Sequence, residues 1–146
     1  MSGARLEFGC DVTVEFSEDL KKYLDDGKPF VTVATVGRDG QPHLTVNWID
    51  REGTELVYST TVSRQQYKNL ARDPRIAVMI NPPENPYAYA EIRGTATLIP
   101  DPDKTLPDRM SYKYTGKPYL EFNPDSVNDA ERVIVRITPT KVLGRL

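Results

Sequence analysis

Residues 30–61, "FVTVATVGRDGQPHLTVNWIDREGTELVYSTT", decide the fold class of this 146-residue chain. Three runs of β-branched and aromatic residues are joined there by two short polar links, "RDGQP" and "DREGT". The pair Asp39 and Gly40 in the first link is a strong hairpin signal, because tight hairpin turns need residues that tolerate positive φ. The stretch therefore predicts three antiparallel strands in meander order.

A helix is predicted immediately before this meander. The run "SEDLKKYLDDGKP" has acidic residues in its first turn and an apolar stripe at Leu20, Tyr23 and Leu24. Ser17 is the predicted N-cap, and Gly27 provides a stop signal. We therefore expect a short amphipathic helix that packs its stripe against the strands.

The rest of the chain continues with short elements. "RQQYKNLARD" predicts a second helix capped by Ser63, "RIAVMI" a fourth strand, and "YAYAEIRGTATLI" a fifth strand with a bulge or bend at Gly94. "ERVIVRI" predicts a sixth strand that ends before Pro139. Between the last two strands, residues 101–130 predict one helix near "DKTLPDRMSYKYTG" and then an irregular loop.

Together these elements predict a mainly β protein. Six strands in hairpin order with two or three short helices are typical of an antiparallel barrel with appended helices. The length favours a single domain over residues 1–146, with residues 1–16 as a loose N-terminal segment.

Composition excludes several functional classes. The chain has 19 Lys and Arg residues against 21 Asp and Glu, a net charge of −2, which gives no electrostatic basis for general nucleic-acid binding. Its single cysteine, Cys10, cannot form an internal disulfide, and no apolar run resembles a signal peptide or a membrane span. We expect a cytoplasmic protein without nucleic-acid or membrane partners.

The passage from the third strand into the second helix, "STTVSRQQYKNL", carries the strongest chemical signal. Three hydroxyl groups end the strand, and the free N–H groups of the helix's first turn face the same gap, which favours an anion. Arg64 and Lys68 are four residues apart, so we expect them to share a helical face and approach a phosphate together. The alternative is that Ser63 only caps the helix and the cations are solvated.

Other kinds of site have no support in the sequence. There is no nucleophile elbow, no paired metal-ligand cluster and no glycine-rich phosphate loop, so no catalytic side chain or metal site is predicted. His43, the only histidine, is expected to be a surface or hydrogen-bonded polar residue. Trp48 is expected in the core, on one strand face with Leu44 and Val46.

The order of these blocks resembles that of a known family. From "ATVGRDGQPHLTVNWID" and "ELVYSTT" through Arg-x-x-x-Lys-Asn-Leu, "RDPRIAVMI" and "NPYAYAEIRGTATL", the chain is similar to the split-barrel flavoproteins that include the pyridoxamine-phosphate oxidases. Within them it looks most like the branch that uses the deazaflavin coenzyme F420. The resemblance implies a split β-barrel and a homodimer with two sites at the interface.

The resemblance also implies which residues bind the cofactor. The phosphate of the flavin or deazaflavin would lie against the strand end and helix start, and the ring would lie along "HLTVNWI". Related sequences often have a lysine where this chain has Gln66, so Lys68 is expected to replace that charge. The predicted cofactor-binding residues are Leu44, Thr45, Val46, Asn47, Ser59, Thr60, Thr61, Arg64, Gln65, Gln66, Lys68 and Asn69.

The activity implied is hydride transfer from reduced F420 to a small planar, conjugated or quinone-like molecule, which requires no acid–base residue. One alternative is an FMN-dependent enzyme on the same fold. A second is a non-catalytic protein that binds a flavin or deazaflavin, and a third is a barrel that binds protein partners and neither cofactor. The C-terminal arginine and histidine segment of the pyridoxamine-phosphate oxidases is missing from "ERVIVRITPTKVLGRL", so we do not expect that specific activity.

Overall fold

The computed structural model describes residues 14–146. Cys10 and most of the predicted loose segment 1–16 therefore lie outside the described residues. No helix within the described range is long and apolar enough to cross a membrane.

The first helix, α1, spans Glu18–Asp26 and forms as the sequence predicts. The Leu20 N–H donates to the Ser17 hydroxyl at 3.0 Å, so Ser17 is the N-cap, and the Gly27 N–H bonds the carbonyl of Tyr23 where the helix ends. Leu20 and Leu24 are fully buried among the core side chains. The predicted apolar stripe is thus what attaches the helix to the sheet.

Seven antiparallel strands form one sheet with the order β2-β1-β5-β6-β7-β4-β3. The strands are β1 Phe30–Val36, β2 Pro42–Trp48, β3 Asp50–Glu52, β4 Glu55–Thr61, β5 Arg75–Ile80, β6 Ala90–Pro100 and β7 Arg132–Gly144. The remaining helices are α2 Gln65–Arg72, α3 Thr105–Thr115, α4 Tyr119–Phe122 and a 3-10 helix at Pro124–Asn128.

The sheet curls into a split barrel. Strands β2 and β4 are far apart in the sheet order, yet Gln66 of α2 hydrogen-bonds to Tyr58 of β4 and to Asn47 of β2. Aliphatic side chains fill the interior of the curl. The fully buried ones include Val31, Val33, Ile49, Leu56, Val57, Val78, Ile80, Ile92, Val135 and Ile137.

The predicted mainly β, antiparallel class is confirmed, with seven strands rather than six. The additional strand is β3, which pairs with β4 across a turn at Gly53 (φ +63°) within the link "DREGT". The long fifth strand begins at Ala90 rather than at Tyr87, because the Ala88 N–H bonds the Asn85 carbonyl in a preceding turn.

Strand β7 continues past Pro139 instead of ending before it. Pro139 pairs with Gly94 where the register between β6 and β7 shifts, and such a bulge is where a sheet tolerates proline. The predicted bulge at Gly94 is therefore confirmed. It lets β7 run through the proline as one 13-residue strand.

We expect the Gly94→Ala substitution to destabilise the fold by about 1–3 kcal/mol, the usual cost of overpacking. A Cβ atom at this position would lie 2.3 Å from the Thr138 carbonyl oxygen, so the two strands would have to separate. Urea unfolding measures the effect. Gly53→Asn is the control, because Gly53 has positive φ but open space around it and asparagine tolerates that conformation. Equal stability of the two variants would contradict the prediction.

Candidate functional site

A pocket of about 260 Å³ opens between β2, the end of β4, and helices α3 and α4. Its polar lining consists of Asn47, Ser59, Arg64 and Arg132. Its apolar lining includes Val46, Trp48, Met110 and Phe122, among others. A ligand with an anionic group and a flat apolar body would match this combination.

Trp48 is the centre of an aromatic wall. Its ring stacks on Tyr114 with centroids 4.9 Å apart and planes at 17°, and it lies 5.2 Å from Phe122 and 6.5 Å from Tyr119. The Tyr114 hydroxyl donates to the Pro29 carbonyl at 2.5 Å, which fixes α3 against the sheet. The wall is therefore held by hydrogen bonds as well as by stacking.

Burial raises the pKa of Tyr114 to about 12 from its usual 10. Because the folded protein keeps this phenol neutral while the unfolded chain ionises, the free energy of unfolding should fall between about pH 10 and pH 12. Below that interval both states are protonated and no such dependence is expected. Urea unfolding across the interval tests this, and Tyr114→Phe should have a shallower slope. Burial also raises the pKa of Tyr58, so some slope should remain in that variant.

Part of the polar lining of the pocket lies where α2 begins. Arg64 is the N-cap, in extended backbone (φ −81°, ψ 148°), and no side chain caps the helix. The prediction that Ser63 caps it is wrong, because the Ser63 hydroxyl hydrogen-bonds to Thr61 Oγ1 at 3.0 Å. The first-turn N–H groups of Gln65 and Gln66 consequently have no partner among the described residues. An uncapped helix start beside an arginine favours an anion.

Two of the predicted cofactor-binding residues face the interior. Gln66 is buried, accepts from the Tyr58 hydroxyl at 2.8 Å and donates to Asn47 Oδ1 at 3.4 Å. Asn69 is also buried and donates to Thr35 Oγ1 at 3.0 Å. Their spacing of three places both on the core side of α2. In this structure they connect α2 to the barrel and do not line the pocket.

The two predicted cations lie one helical turn apart and border different depressions. Arg64 precedes the helix and lines the pocket, whereas Lys68 lies one turn into the helix. Lys68 instead borders a shallow depression with Gln65, Arg38 and Arg72. The Lys68 N–H bonds the Arg64 carbonyl at 3.3 Å, so the two residues are one turn apart as expected, and their joint approach to a phosphate stays a prediction.

The remaining predicted residues are divided between the pocket and its surroundings. Of the predicted set, Val46, Asn47, Ser59 and Arg64 line the pocket. Three others lie outside its lining: Thr45 accepts a hydrogen bond from Asn47, while Thr60 and Thr61 are buried behind the strand end.

Among residues 14–146, strand β2 is the first strand of the sheet order and has a strand neighbour only on its β1 side. On the other edge, alternate residues of an antiparallel strand present free N–H and C=O groups. This edge is consistent with the expectation that backbone groups from Leu44 to Asn47 bind a ligand.

The expectation that Leu44 and Val46 are core residues is wrong, since they are 64% and 69% exposed. The pairing of β1 with β2 places them on the outer face together with Phe30, which is 66% exposed. No helix covers this part of the sheet within residues 14–146, whereas α3 and α4 partly cover Trp48 at the end of the strand. The result is an exposed apolar face, formed by Phe30, Ala34, Leu44, Val46, Ala77 and Met79.

Sequence reasoning missed Arg132 and Phe122 as pocket residues, and it left Tyr119 out of the predicted cofactor-binding set. The two aromatic residues come from a segment predicted as an irregular loop, and Arg132 from the start of the last strand. The high number of tyrosines was a usable signal, because tyrosine suits the pocket of a planar ligand. Arg132 could be found only by knowing that β7 pairs with β4.

Comparisons with known proteins agree on one family. The protein-family profile described as pyridoxamine 5'-phosphate oxidase matches residues 16–145. A solved structure named F420 reductase is 31% identical, covers 84% of this chain and 94% of its own, and has a TM-score of 0.73. A conserved hypothetical protein from Mycobacterium tuberculosis is 26% identical over 89% of this chain and 84% of its own, with a TM-score of 0.70.

A more distant structure is similar in fold alone. General Stress Protein 26 from Bacillus anthracis is 17% identical, covers 85% of this chain and 89% of its own, and has a TM-score of 0.59. A search among curated proteins finds no significant match.

Proposed function

The chain belongs to the pyridoxamine 5'-phosphate oxidase family, and we propose that it is an oxidoreductase that uses reduced coenzyme F420 to reduce a small planar, conjugated or quinone-like molecule. The 31% identity to a protein named F420 reductase supports this choice of cofactor. When bound, the reduced deazaflavin would supply the hydride. The observation that carries the proposal is that one pocket is lined both by the aromatic wall and by the arginine at an uncapped helix start.

The side chains present fit a molecule with a planar ring and a phosphate. Arg64, Ser59 and the free N–H groups of Gln65 and Gln66 are suitable donors to phosphate oxygens. The Trp48 wall provides an apolar surface for the ring, and the edge of β2 offers backbone hydrogen bonds. In the proposed reaction these residues bind and orient two planar molecules and exclude water from between them.

FMN is the alternative cofactor, because it also carries a phosphate and the same donors would bind it. Calorimetric titration of the apoprotein with F420 and with FMN, side by side, separates the two. We expect F420 to bind more tightly, and the complex to oxidise reduced F420 in the presence of a quinone. Tighter binding of FMN would contradict the choice of cofactor. Tight binding of F420 without turnover across a broad panel of acceptors would favour a non-catalytic binding protein.

We propose further that two copies of the chain form a homodimer through the apolar face. The pocket, at about 260 Å³, is smaller than the roughly 300–1,000 Å³ usual for ligand sites, and its rim includes Val46 and Phe30 of this face. Contiguous exposed apolar surface of this kind usually marks an interaction site. A second copy seated on the face would complete the pocket from the open side.

We expect Arg64→Ala to weaken cofactor binding by about 1–3 kcal/mol, the scale of a lost hydrogen bond to a charged group. Arg64 lies in extended backbone at the surface, so the fold should be unaffected. Lys68→Ala is the matched control, because it removes an exposed cation one helical turn away that borders a different depression. Its smaller effect should decrease further at high salt. The dissociation constants of both variants are measured by calorimetry. An equal loss of cofactor affinity in the two variants would show that the phosphate binds elsewhere.

A further inference from the structure

Arg132, the first residue of β7, has an unusual environment. Its backbone pairs with Thr61, so it lies at the strand end where the chain turns toward α2. The side chain is only 5% exposed yet lines the pocket. Its Nη2 group donates to Asp129 at 2.6 Å and to the Tyr119 hydroxyl at 2.8 Å, and Nη1 makes a longer bond of 3.3 Å to Ser59.

One nitrogen of this guanidinium has no hydrogen-bond partner within residues 14–146. The Nε–H group is buried and has no hydrogen-bond partner among the residues that the structure describes. Buried polar groups are nearly always paired, and an exception in a native protein needs a reason. Asp129, which forms the ion pair with Arg132, is itself partly exposed to solvent. The site therefore holds an arginine with donor capacity that its protein partners do not use.

The positive charges that line the pocket also support a role for Arg132 in binding an anion. Gln66 is neutral and turned into the barrel interior. Lys68 borders another depression, so Arg64 is the only predicted cation that lines the pocket. Arg132 reaches the same pocket from β7, the strand that pairs with the end of β4. The pocket thus has two arginines, one from the start of α2 and one from β7.

We propose that Arg132 is a second anion-binding residue of this pocket and that Asp129 competes with the bound anion for its guanidinium. This inference rests on the proposed function and assigns Arg132 to the phosphate of the cofactor. Arg64 contacts that phosphate from the α2 side and Arg132 from the β7 side. Without cofactor, Asp129 neutralises the buried charge. When the phosphate is bound, part of the hydrogen bonding moves from the carboxylate to the phosphate oxygens.

The first experiment compares a phosphorylated ligand with its phosphate-free form: the 5'-phosphate of the deazaflavin riboside with the riboside itself, or FMN with riboflavin, according to which cofactor the wild type binds. In Arg132→Gln, affinity for the phosphorylated form should fall about 10–100-fold, as expected for charge-assisted bonds, while affinity for the riboside changes little. Arg136→Gln is the control, because Arg136 lies on the same strand but pairs with Glu52 and Glu55. An equal loss for both forms would overturn the proposal.

The second experiment leaves Arg132 in place and is expected to increase cofactor affinity instead of reducing it. Asp129→Asn should increase affinity for the phosphorylated cofactor by about 3–10-fold, because the competing carboxylate is lost. Glu131→Gln, which removes the same charge from an exposed side chain two residues away, should change it little. Weaker or unchanged binding in Asp129→Asn would overturn the inference while leaving the proposed function intact. A wild-type protein that binds neither cofactor would instead remove the proposed function.

Discussion

The double substitution Leu44→Asp with Val46→Asp should leave the protein monomeric and remove most of its cofactor binding. Both side chains are largely exposed on the outer face of β2, at the proposed dimer interface. Association would bury carboxylates without partners, at a cost of about 3–5 kcal/mol, or more than about 100-fold in the dimer dissociation constant. Sedimentation velocity over a range of concentrations measures the change.

The control for this experiment is Val127→Asp. Val127 is 66% exposed, close to the 69% of Val46, but lies in the 3-10 helix away from the apolar face. It should remain dimeric and bind cofactor as the wild type does. The individual subunits of the double variant should stay folded, because the substituted side chains are outside the core. A monomeric wild type, or a double variant that still dimerises, would refute the proposed interface.

Replacing Trp48 with alanine should reduce the free energy of unfolding by about 3 kcal/mol, at the low end of the range for large aromatic residues because Trp48 is only partly buried. The substitution removes the ring that stacks on Tyr114 and contacts Phe122. Helices α3 and α4 would lose their main contact with β2, so the aromatic wall should move and cofactor affinity should fall as well. Urea unfolding and calorimetric titration measure the two effects separately.

Two further variants make this prediction specific. Trp48→Phe retains an aromatic ring and should recover part of both losses. Tyr87→Ala removes an aromatic side chain that is 83% exposed, and it should change neither stability nor binding. If Trp48→Ala lowered stability while cofactor affinity stayed at the wild-type value, the wall would have no part in binding.

The sequence was sufficient for elements whose signals are local. The hairpin at Asp39 and Gly40, the Ser17 cap and the Gly94 bulge all depend on the conformational preferences of one or two residues. Strand β3 was not recognised because three residues show no periodicity. The continuation of β7 through Pro139 was missed because the residue that explains it, Gly94, lies on the neighbouring strand β6.

The candidate site was predictable from the sequence only where its residues are close together along the chain. Ser59 and Arg64 were predicted to lie close together and both line the pocket, because a strand end and the next helix start are adjacent along the chain. The side of β2 that faces the core was not predictable, since alternation gives two faces and does not say which one is covered. Arg132 and Tyr119 required the sheet order and the path of residues 116–131.

The position of Trp48 has a practical consequence for studying the protein in solution. It is the chain's single tryptophan, and it lines the pocket. Its ultraviolet emission therefore reports on the pocket alone, without background from other indoles. A yellow chromophore bound against the ring would quench that signal by resonance energy transfer, so ligand arrival could be followed by stopped-flow on the unmodified chain.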